Sequence, residues 1–196
     1  MLPKNLIPLL FGLLSALGCA HARLISADGP LELGSNQGIL VLHVDSDFPI
    51  QRLRFDTIAT FASDLPKGQT VALAVLPAGN YRWTAIEVPS ATGDFYYRFR
   101  MRPDSDWRFK VEAGRINYPG QIIVKGNQRV LSRSRTLWAW TKNRPALALE
   151  RIRATYPMLL AQYPLANGRS ERDDFLERYQ ALAPFESLET SEASPN

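Results

Sequence analysis

The chain has 196 residues, of which 45% are hydrophobic and 21% are charged, and its formal net charge is +4. These values are typical of an ordinary globular protein, and they exclude an intrinsically disordered chain and a multi-span membrane protein. One cysteine and two histidines allow no internal disulfide and too few ligands for a zinc site. We therefore predict neither a metal nor another cofactor.

The first 22 residues have the layout of a bacterial secretory signal. One positive charge, Lys4, precedes the apolar run Leu6–Leu17, and a short zone rich in small residues follows at Gly18–Ala22. The apolar run is shorter than the about 20 residues that span a bilayer. The sequence therefore predicts export, with residues 1–22 as the signal peptide.

Two cleavage sites compete within this zone. Ala16-Leu-Gly-Cys19 resembles a lipobox, which places a lipid on Cys19 and cuts the chain before it. Ala20-His-Ala22 offers an A-x-A site that releases a chain starting at Arg23. The first site predicts a lipoprotein of the outer membrane that faces the periplasm, because no Asp follows the cysteine. The second site predicts a soluble periplasmic protein.

Residues 23–141 are predicted to form an antiparallel β-sandwich. Short runs of β-branched and aromatic residues recur there between Gly and Pro turn signals, which is typical of a sandwich or barrel. The predicted strands are Gly38–Val44, Arg52–Thr60, Gln69–Val75, Tyr81–Val88, Gln121–Lys125 and one or two strands within Arg129–Trp140.

The clearest strand pair is Phe95–Glu112, which we predict to be a hairpin with a five-residue loop and Met101 opposite Trp107. This register places the aromatic side chains of both strands on the core face and keeps the cationic side chains out of the core. It predicts a stripe on the outer face that consists of Tyr96, Arg98, Arg100, Arg108 and Lys110.

The hydrophobic period changes from strand-like to helical near residue 142, so residues 142–183 predict an extension of two helices. Asn143 is a capping residue, and Pro145 suits the first turn of the first helix. Pro157 is expected to end or kink this helix.

The segment Pro164–Arg169 is predicted to be a loop that leads to the second helix. Ser170 starts this helix, and Asp173 three residues later completes a weak capping box. The apolar face of the helix consists of Phe175, Leu176, Tyr179 and Leu182. Residues 184–196 are polar and are predicted to form a disordered tail.

Two strings carry a resemblance to a known class of domains. Leu76-Pro-Ala-Gly-Asn-Tyr81 opens a strand with a Pro-x-Gly-x-Tyr pattern, and Phe109-Lys-Val-Glu-Ala-Gly-Arg-Ile-Asn-Tyr-Pro-Gly120 follows an F-x-V-x-x-G-x-x-x-Y-x-G pattern. Over roughly residues 70–125 the chain resembles exported bacterial β-sandwich domains of the transthyretin-like or carboxypeptidase-regulatory-like kind. The resemblance implies a sandwich in an exported protein, often a lipoprotein, and transfers no catalytic residues.

The sequence offers one candidate for catalysis. His43 and Asp45 share a strand face, an arrangement that suits the base of a hydrolase or two ligands of a metal. There is no G-x-S-x-G elbow and no further histidine or cysteine to complete a site. A periplasmic hydrolase that uses His43 and Asp45 is therefore the alternative hypothesis, and a structural role of His43 is the simpler one.

The charge distribution favours a binding role. Residues 167–196 hold three arginines against seven acidic residues, so the rest of the chain is basic and is suited to lipid headgroups or anionic envelope polymers. Arginine forks bind phosphate and carboxylate, which makes the outer stripe the binding candidate; alternatively, its charges only prevent the sheet from pairing. Trp138 and Trp140 share a strand face, and they either point into the core, which is the favoured placement, or form an exposed aromatic platform.

These observations predict an exported, non-enzymatic envelope protein, either a binding or a structural β-sandwich, that is anchored to the membrane by a lipid at Cys19. Its partner is predicted to be an anionic envelope component or another envelope protein, and export argues against nucleic acid.

Overall fold

The computed structural model describes residues 22–56, 59–90, 93, 96–103, 105–127, 136–169 and 173–182. Within these ranges the strands are β1 (Arg23–Ile25), β2 (Gln37–Ser46), β3 (Ile50–Phe55), β4 (Ala59–Leu65), β5 (Gly68–Pro77), β6 (Gly79–Pro89), β7 (Tyr96–Arg100), β8 (Arg108–Val111), β9 (Ile116–Tyr118), β10 (Gln121–Asn127), β11 (Thr136–Lys142) and β12 (Leu165–Asn167). The helices are α1 (Pro145–Thr155), α2 (Pro157–Gln162) and α3 (Phe175–Leu182), and a 3-10 turn covers Ser105–Trp107.

The strands form two sheets. Sheet A has the order β1-β5-β2-β10-β11, with β9 also beside β2 and β12 beside β9. Sheet B has the order β4-β3-β6, and both β7 and β8 pair with the other edge of β6. The predicted fold class, mainly β and followed by C-terminal helices, is confirmed. Sheet A also contains parallel pairs, β2 with β10, β2 with β9 and β9 with β12, which the sequence analysis did not predict.

Strand β2 lies inside the molecule and is covered on both faces. Its residues Leu40, Leu42 and Val44 pack into the core between the two sheets, and Ile39 and Val41 pack into a second core under the helices. A strand buried on both faces needs apolar side chains on both, which is why this run is continuously apolar. The helices contribute to the second core through Leu149, Ile152, Leu159 and Leu160.

The first predicted helix begins at Pro145 and is interrupted before Pro157, as expected for a proline that blocks the helix interior. Asp28 then accepts hydrogen bonds from the backbone N–H groups of Met158 and Leu159, at 3.0 and 3.2 Å. These N–H groups lie in the first turn of α2 and lack partners within the helix. The N-terminal segment therefore fixes the start of α2.

The prediction of a loop at Pro164–Arg169 is wrong, because Leu165–Asn167 forms β12 in parallel pairing with β9. Helix α3 begins at Phe175, later than predicted, and the Phe175 N–H donates to the carboxylate of Asp173 at 3.0 Å. The predicted start at Ser170 and the predicted tail lie outside the described residues.

The single strand predicted at Arg52–Thr60 is also wrong. Strand β3 ends at Phe55, and Asp56 then turns the chain with a φ of +43° into the antiparallel strand β4. Asp is among the few residue types that tolerate this left-handed conformation, so a turn arises here without glycine.

The predicted hairpin at Phe95–Glu112 does not form. Strands β7 and β8 do not pair with each other; both run antiparallel to β6, end to end, with Arg100 opposite Ala85 and Arg108 opposite Arg82. They are two halves of one edge strand, interrupted at residues 101–107. The predicted alternation of faces is nevertheless confirmed, because exposure alternates along both halves, with Tyr97 packed against the core and Phe109 and Val111 buried in it.

Candidate functional site: an arginine-lined concavity on sheet B

The outer face of sheet B carries two rows of side chains that run across three strands. In the first row, Glu87 of β6 lies between Arg52 of β3 and Arg98 of β7. In the second row, Ala85 lies between Arg54 and Arg100. A carboxylate and a methyl group are therefore surrounded by four arginines.

These rows border a concavity of about 560 Å³ that is open to solvent. The described residues that line it are Arg52, Glu87, Tyr96, Arg98 and Arg100, and we call it the arginine concavity.

Glu87 is the centre of this cluster, with only 2% of its surface exposed. Its carboxylate accepts hydrogen bonds from the Nε of Arg98 at 2.7 Å, from the Nε of Arg54 at 2.9 Å and from Nη1 of Arg52 at 3.4 Å. Burial of the carboxylate opposes its charge, but the hydrogen bonds from Arg54 and Arg98 outweigh burial, so the pKa of Glu87 lies below its ordinary value. Glu87 is thus ionised and holds the arginines in place.

Arg98 and Arg100 offer hydrogen-bond donors to the concavity. Because Arg98 uses Nε for Glu87, its terminal Nη groups form no hydrogen bond with the described residues. The guanidinium of Arg100 forms neither an ion pair nor a hydrogen bond within the described part of the chain. A planar guanidinium with free N–H groups is the side chain best suited to a phosphate or carboxylate.

Tyr96 forms one side of the arginine concavity and is 45% exposed. Its hydroxyl accepts a hydrogen bond from Nε2 of Gln51 at 3.0 Å, and the guanidinium carbon of Arg52 lies 5.8 Å from the ring centroid. The ring is therefore oriented by two neighbours while it remains accessible to a ligand.

The other two residues of the predicted stripe lie apart from this site. Arg108 and Lys110 are exposed and border a second concavity of about 370 Å³, together with Tyr81, Phe109 and Arg169. Lys110 is paired with Glu112 at 2.9 Å. Arg100 lies opposite Ala85 of β6 and Arg108 lies opposite Arg82, about 10 Å further along the strand. A register shift between Ala85 and Trp83 keeps both positions on the outer face. The interruption at 101–107 therefore divides the stripe into two sites.

Sequence reasoning missed Arg52, Arg54 and Glu87. Two signals were present: the alternation Arg52-Leu-Arg54 in a strand, and an acidic residue between the apolar Ile86 and Val88. Neither signal reveals that the residues meet, because the strand order β3-β6-β7 joins segments that are distant in the chain.

His43 lies in the interior and is only 1% exposed. Its Nδ1 contacts the hydroxyl of Tyr118 at 3.3 Å and its Nε2 contacts Nε2 of Gln121 at 3.1 Å. Burial, together with the positive charges of Arg151 and Arg144, lowers the pKa of His43 to about 4. The imidazole is neutral at neutral pH and is engaged on both ring nitrogens.

This arrangement does not support the hydrolase hypothesis. Asp45 does not orient His43, since its carboxylate pairs with Nζ of Lys125 at 3.0 Å, and none of the described cavities is lined by either residue. Within the described ranges no group of three or more His, Cys, Asp or Glu side chains is placed to hold a metal ion.

The favoured placement of Trp138 and Trp140 in the core is wrong, and the alternative placement on the surface is the one observed. They are 53% and 37% exposed, while Leu137 and Ala139 of the same strand pack against the core between the sheets. The alternation along β11 is as predicted, but the smaller residues rather than the indoles face inward.

The predicted lipidation site, Cys19, lies outside the described residues. Among the described helices, none is both long enough and apolar enough to cross a membrane. The chain matches no protein-family model, no curated protein and no solved structure.

Proposed function

We propose that this protein is an exported, non-enzymatic component of the bacterial cell envelope that binds a phosphate-bearing envelope component in the arginine concavity. The observation that carries the proposal is the state of Arg98 and Arg100. Both residues line one concavity, and their terminal N–H groups form no hydrogen bond with the described part of the protein.

The charge of the concavity supports an anionic ligand. Among the described residues, four arginines surround a single carboxylate, which leaves an excess of positive charge over a short distance. An anion that enters replaces water around Arg98 and Arg100, and at Arg98 it meets a donor that Glu87 already holds in place. Preorganised donors lose little side-chain entropy on binding, which raises affinity.

A general role in solubility explains these residues less well. A surface that only prevents sheets from pairing needs exposed cations and no buried acid. Burial of the Glu87 carboxylate raises the free energy of the folded state, because the charge loses contact with water. The ion pairs with Arg52, Arg54 and Arg98 must offset this desolvation cost. Such a cost is expected where the geometry of the arginines matters.

Export and anchoring belong to the same proposal. They are supported by the charged, apolar and small-residue zones of residues 1–22 and by the position of Cys19 directly after the apolar run. A lipid on Cys19 would hold the sheet near the membrane surface, where phosphate groups are abundant. We also propose that the chain is related to exported β-sandwich domains. The sequence patterns at Leu76–Tyr81 and Phe109–Gly120 support this relationship.

The experiment measures binding of the mature protein to two probes with the same phosphate chemistry. One probe is a phosphatidylcholine vesicle with and without phosphatidylglycerol, followed by co-sedimentation, and the other is inorganic pyrophosphate, followed by calorimetry. Binding to the anionic vesicle alone identifies a headgroup ligand, and binding to both probes identifies a phosphate site that is independent of a membrane. Binding to neither probe contradicts the proposal.

A matched pair of variants locates the site. Arg100→Glu and Arg108→Glu make the same change of charge on the same face, but only Arg100 lines the arginine concavity. We expect Arg100→Glu to weaken binding about tenfold or more, because a charged hydrogen bond contributes about 1.5–3 kcal/mol. We expect Arg108→Glu to change binding by less than about threefold, as for a distant surface charge. Equal losses would indicate general electrostatic attraction instead of a site.

A further inference from the structure

A second surface with binding character lies on sheet A, away from the arginine concavity. Trp138 and Trp140 project from the same face of β11, the last strand of sheet A, and are the most exposed tryptophans of the described chain. Two positions along a strand are separated by about 6.6 Å, so the two indoles are neighbours. Adjoining exposed apolar side chains are candidates for an interaction site, whereas apolar residues that are exposed singly are ordinary.

Charged side chains adjoin the indoles on the same face. Lys125 lies directly opposite Trp138 in the pairing of β10 with β11, and its Nζ is 3.0 Å from both Asp45 Oδ1 and Asp47 Oδ1. These two ion pairs fix the carboxylates beside the tryptophans. The second oxygen of Asp45 forms no hydrogen bond with the described residues, so it remains an acceptor.

Among the described residues of β2, β10 and β11 on this face, the charges close to the indoles offset one another. Lys125 and Lys142 face Asp45 and Asp47, whereas the arginine concavity has a large positive excess. These four charges together give little net electrostatic attraction to anionic headgroups or anionic polymers. Two carboxylates beside the indoles also oppose insertion into an acyl layer, where charged groups are costly.

An uncharged sugar chain fits both features of the surface. The flat C–H face of an equatorially substituted pyranose packs against an indole, and its hydroxyl groups both donate and accept hydrogen bonds. Carboxylate oxygens accept from these hydroxyls, and a lysine ammonium donates to them. Neighbouring indoles on one strand match successive rings of an extended chain.

We propose that Trp138 and Trp140, together with Asp45, Asp47 and Lys125, form a binding site for an uncharged glycan of β-1,4-linked pyranoses. The site is separate from the arginine concavity and does not depend on the function proposed for it. The indoles supply the stacking surface, and the ion-paired carboxylates supply fixed hydrogen-bond acceptors at one end.

Tryptophan fluorescence provides a direct test. The chain has four tryptophans, and Trp83 and Trp107 are buried, so quenching by iodide reports mainly on Trp138 and Trp140. The probes are cellohexaose and the hexamer of N-acetylglucosamine. We expect at least one of them to protect the fluorescence from iodide in a saturable manner, and we expect Trp138→Ala and Trp140→Ala each to weaken that binding at least tenfold.

Tyr96→Ala is the matched control, because it removes an exposed aromatic residue from sheet B. It is expected to leave glycan binding unchanged. The proposal is overturned if neither hexamer protects the wild-type protein, a result that does not depend on the folding of any variant. It is also overturned if neutral phosphatidylcholine vesicles, and neither hexamer, protect the two tryptophans, which would identify a membrane contact.

Discussion

Glu87 and Arg98 face each other across the β6–β7 pair, and the Nε of Arg98 donates a 2.7 Å hydrogen bond to a carboxylate that is almost fully buried. The bond occupies the inner edge of the guanidinium and leaves its terminal N–H groups without a partner among the described residues. One contact thus serves two purposes: it compensates a buried charge and orients a donor towards a concavity.

Removal of the carboxylate is predicted to destabilise the protein. In Glu87→Ala the guanidinium groups of Arg52, Arg54 and Arg98 lose their shared partner and repel one another. A fully buried pair costs about 3–5 kcal/mol to break, but these arginines are 30–51% exposed, so we expect a loss of about 2 kcal/mol. Urea unfolding measures the change, with Arg100→Ala as the control that removes an unpaired arginine. A loss of the same size in both variants would contradict a specific role of Glu87.

The stability of the protein is predicted to fall in acid through Glu87. Its pKa is lowered in the folded state, so the unfolded chain takes up a proton first as the pH decreases. The contribution of Glu87 is therefore fully present above the ordinary glutamate pKa of about 4.5 and is lost as the pH falls through the lower folded value. The free energy of unfolding of Glu87→Gln should be less sensitive to pH in this range than that of the wild type.

His43 is predicted to change the stability of the protein with pH in a range above that of Glu87. Its pKa falls from 6.5 to about 4 on folding, so the unfolded state binds a proton between these values while the folded state does not. Stability is fully present above pH 6.5 and declines towards pH 4, by up to about 3 kcal/mol. Denaturant unfolding of His43→Gln across this range should show a flatter profile. Glu87→Gln is the control here, since it should keep the wild-type slope between pH 6.5 and 4.5.

Asn117 is predicted to be the polar residue most important for the stability of sheet A. It is fully buried, accepts from the backbone N–H of Glu112 at 2.9 Å, and donates to the backbone oxygens of Arg115, Glu112 and Ile39. Asn117→Ala removes these hydrogen bonds from a fully buried site, although the Arg115 oxygen keeps its bond from the Ile39 N–H, at a cost of about 2–3 kcal/mol. The exposed Asn80→Ala is the control, with a change below about 0.5 kcal/mol. Thermal unfolding compares the two variants, and equal midpoints would contradict this assignment.

The features predicted correctly from the sequence depend on local rules. The apolar run of β2, the helix break at Pro157 and the alternation of β7 and β8 follow from side-chain period and proline geometry. The alternation survived even though the strand pairing was wrong, because a strand keeps its two-residue period whichever strand lies beside it.

The features that were missed depend on contacts between distant segments. The arginine concavity requires β3 and β7 to flank β6, and β6 is long enough to pair with β7 and β8 in succession instead of allowing a hairpin between them. Likewise, the exposure of Trp138 and Trp140 depends on the terminal position of β11 in sheet A. Strand order cannot be predicted from amino-acid composition or from the period of the hydrophobic residues.

The most direct test of the arginine concavity observes the guanidinium groups themselves. In a titration of the ¹⁵N-labelled protein with pyrophosphate, the side-chain N–H signals of Arg98 and Arg100 are predicted to shift and saturate together. The signal of Arg108, on the same face but outside the concavity, should remain in place and serves as the internal reference. Equal shifts of all three arginines, or no shift of Arg98 and Arg100, would contradict the claim that this concavity is an anion-binding site.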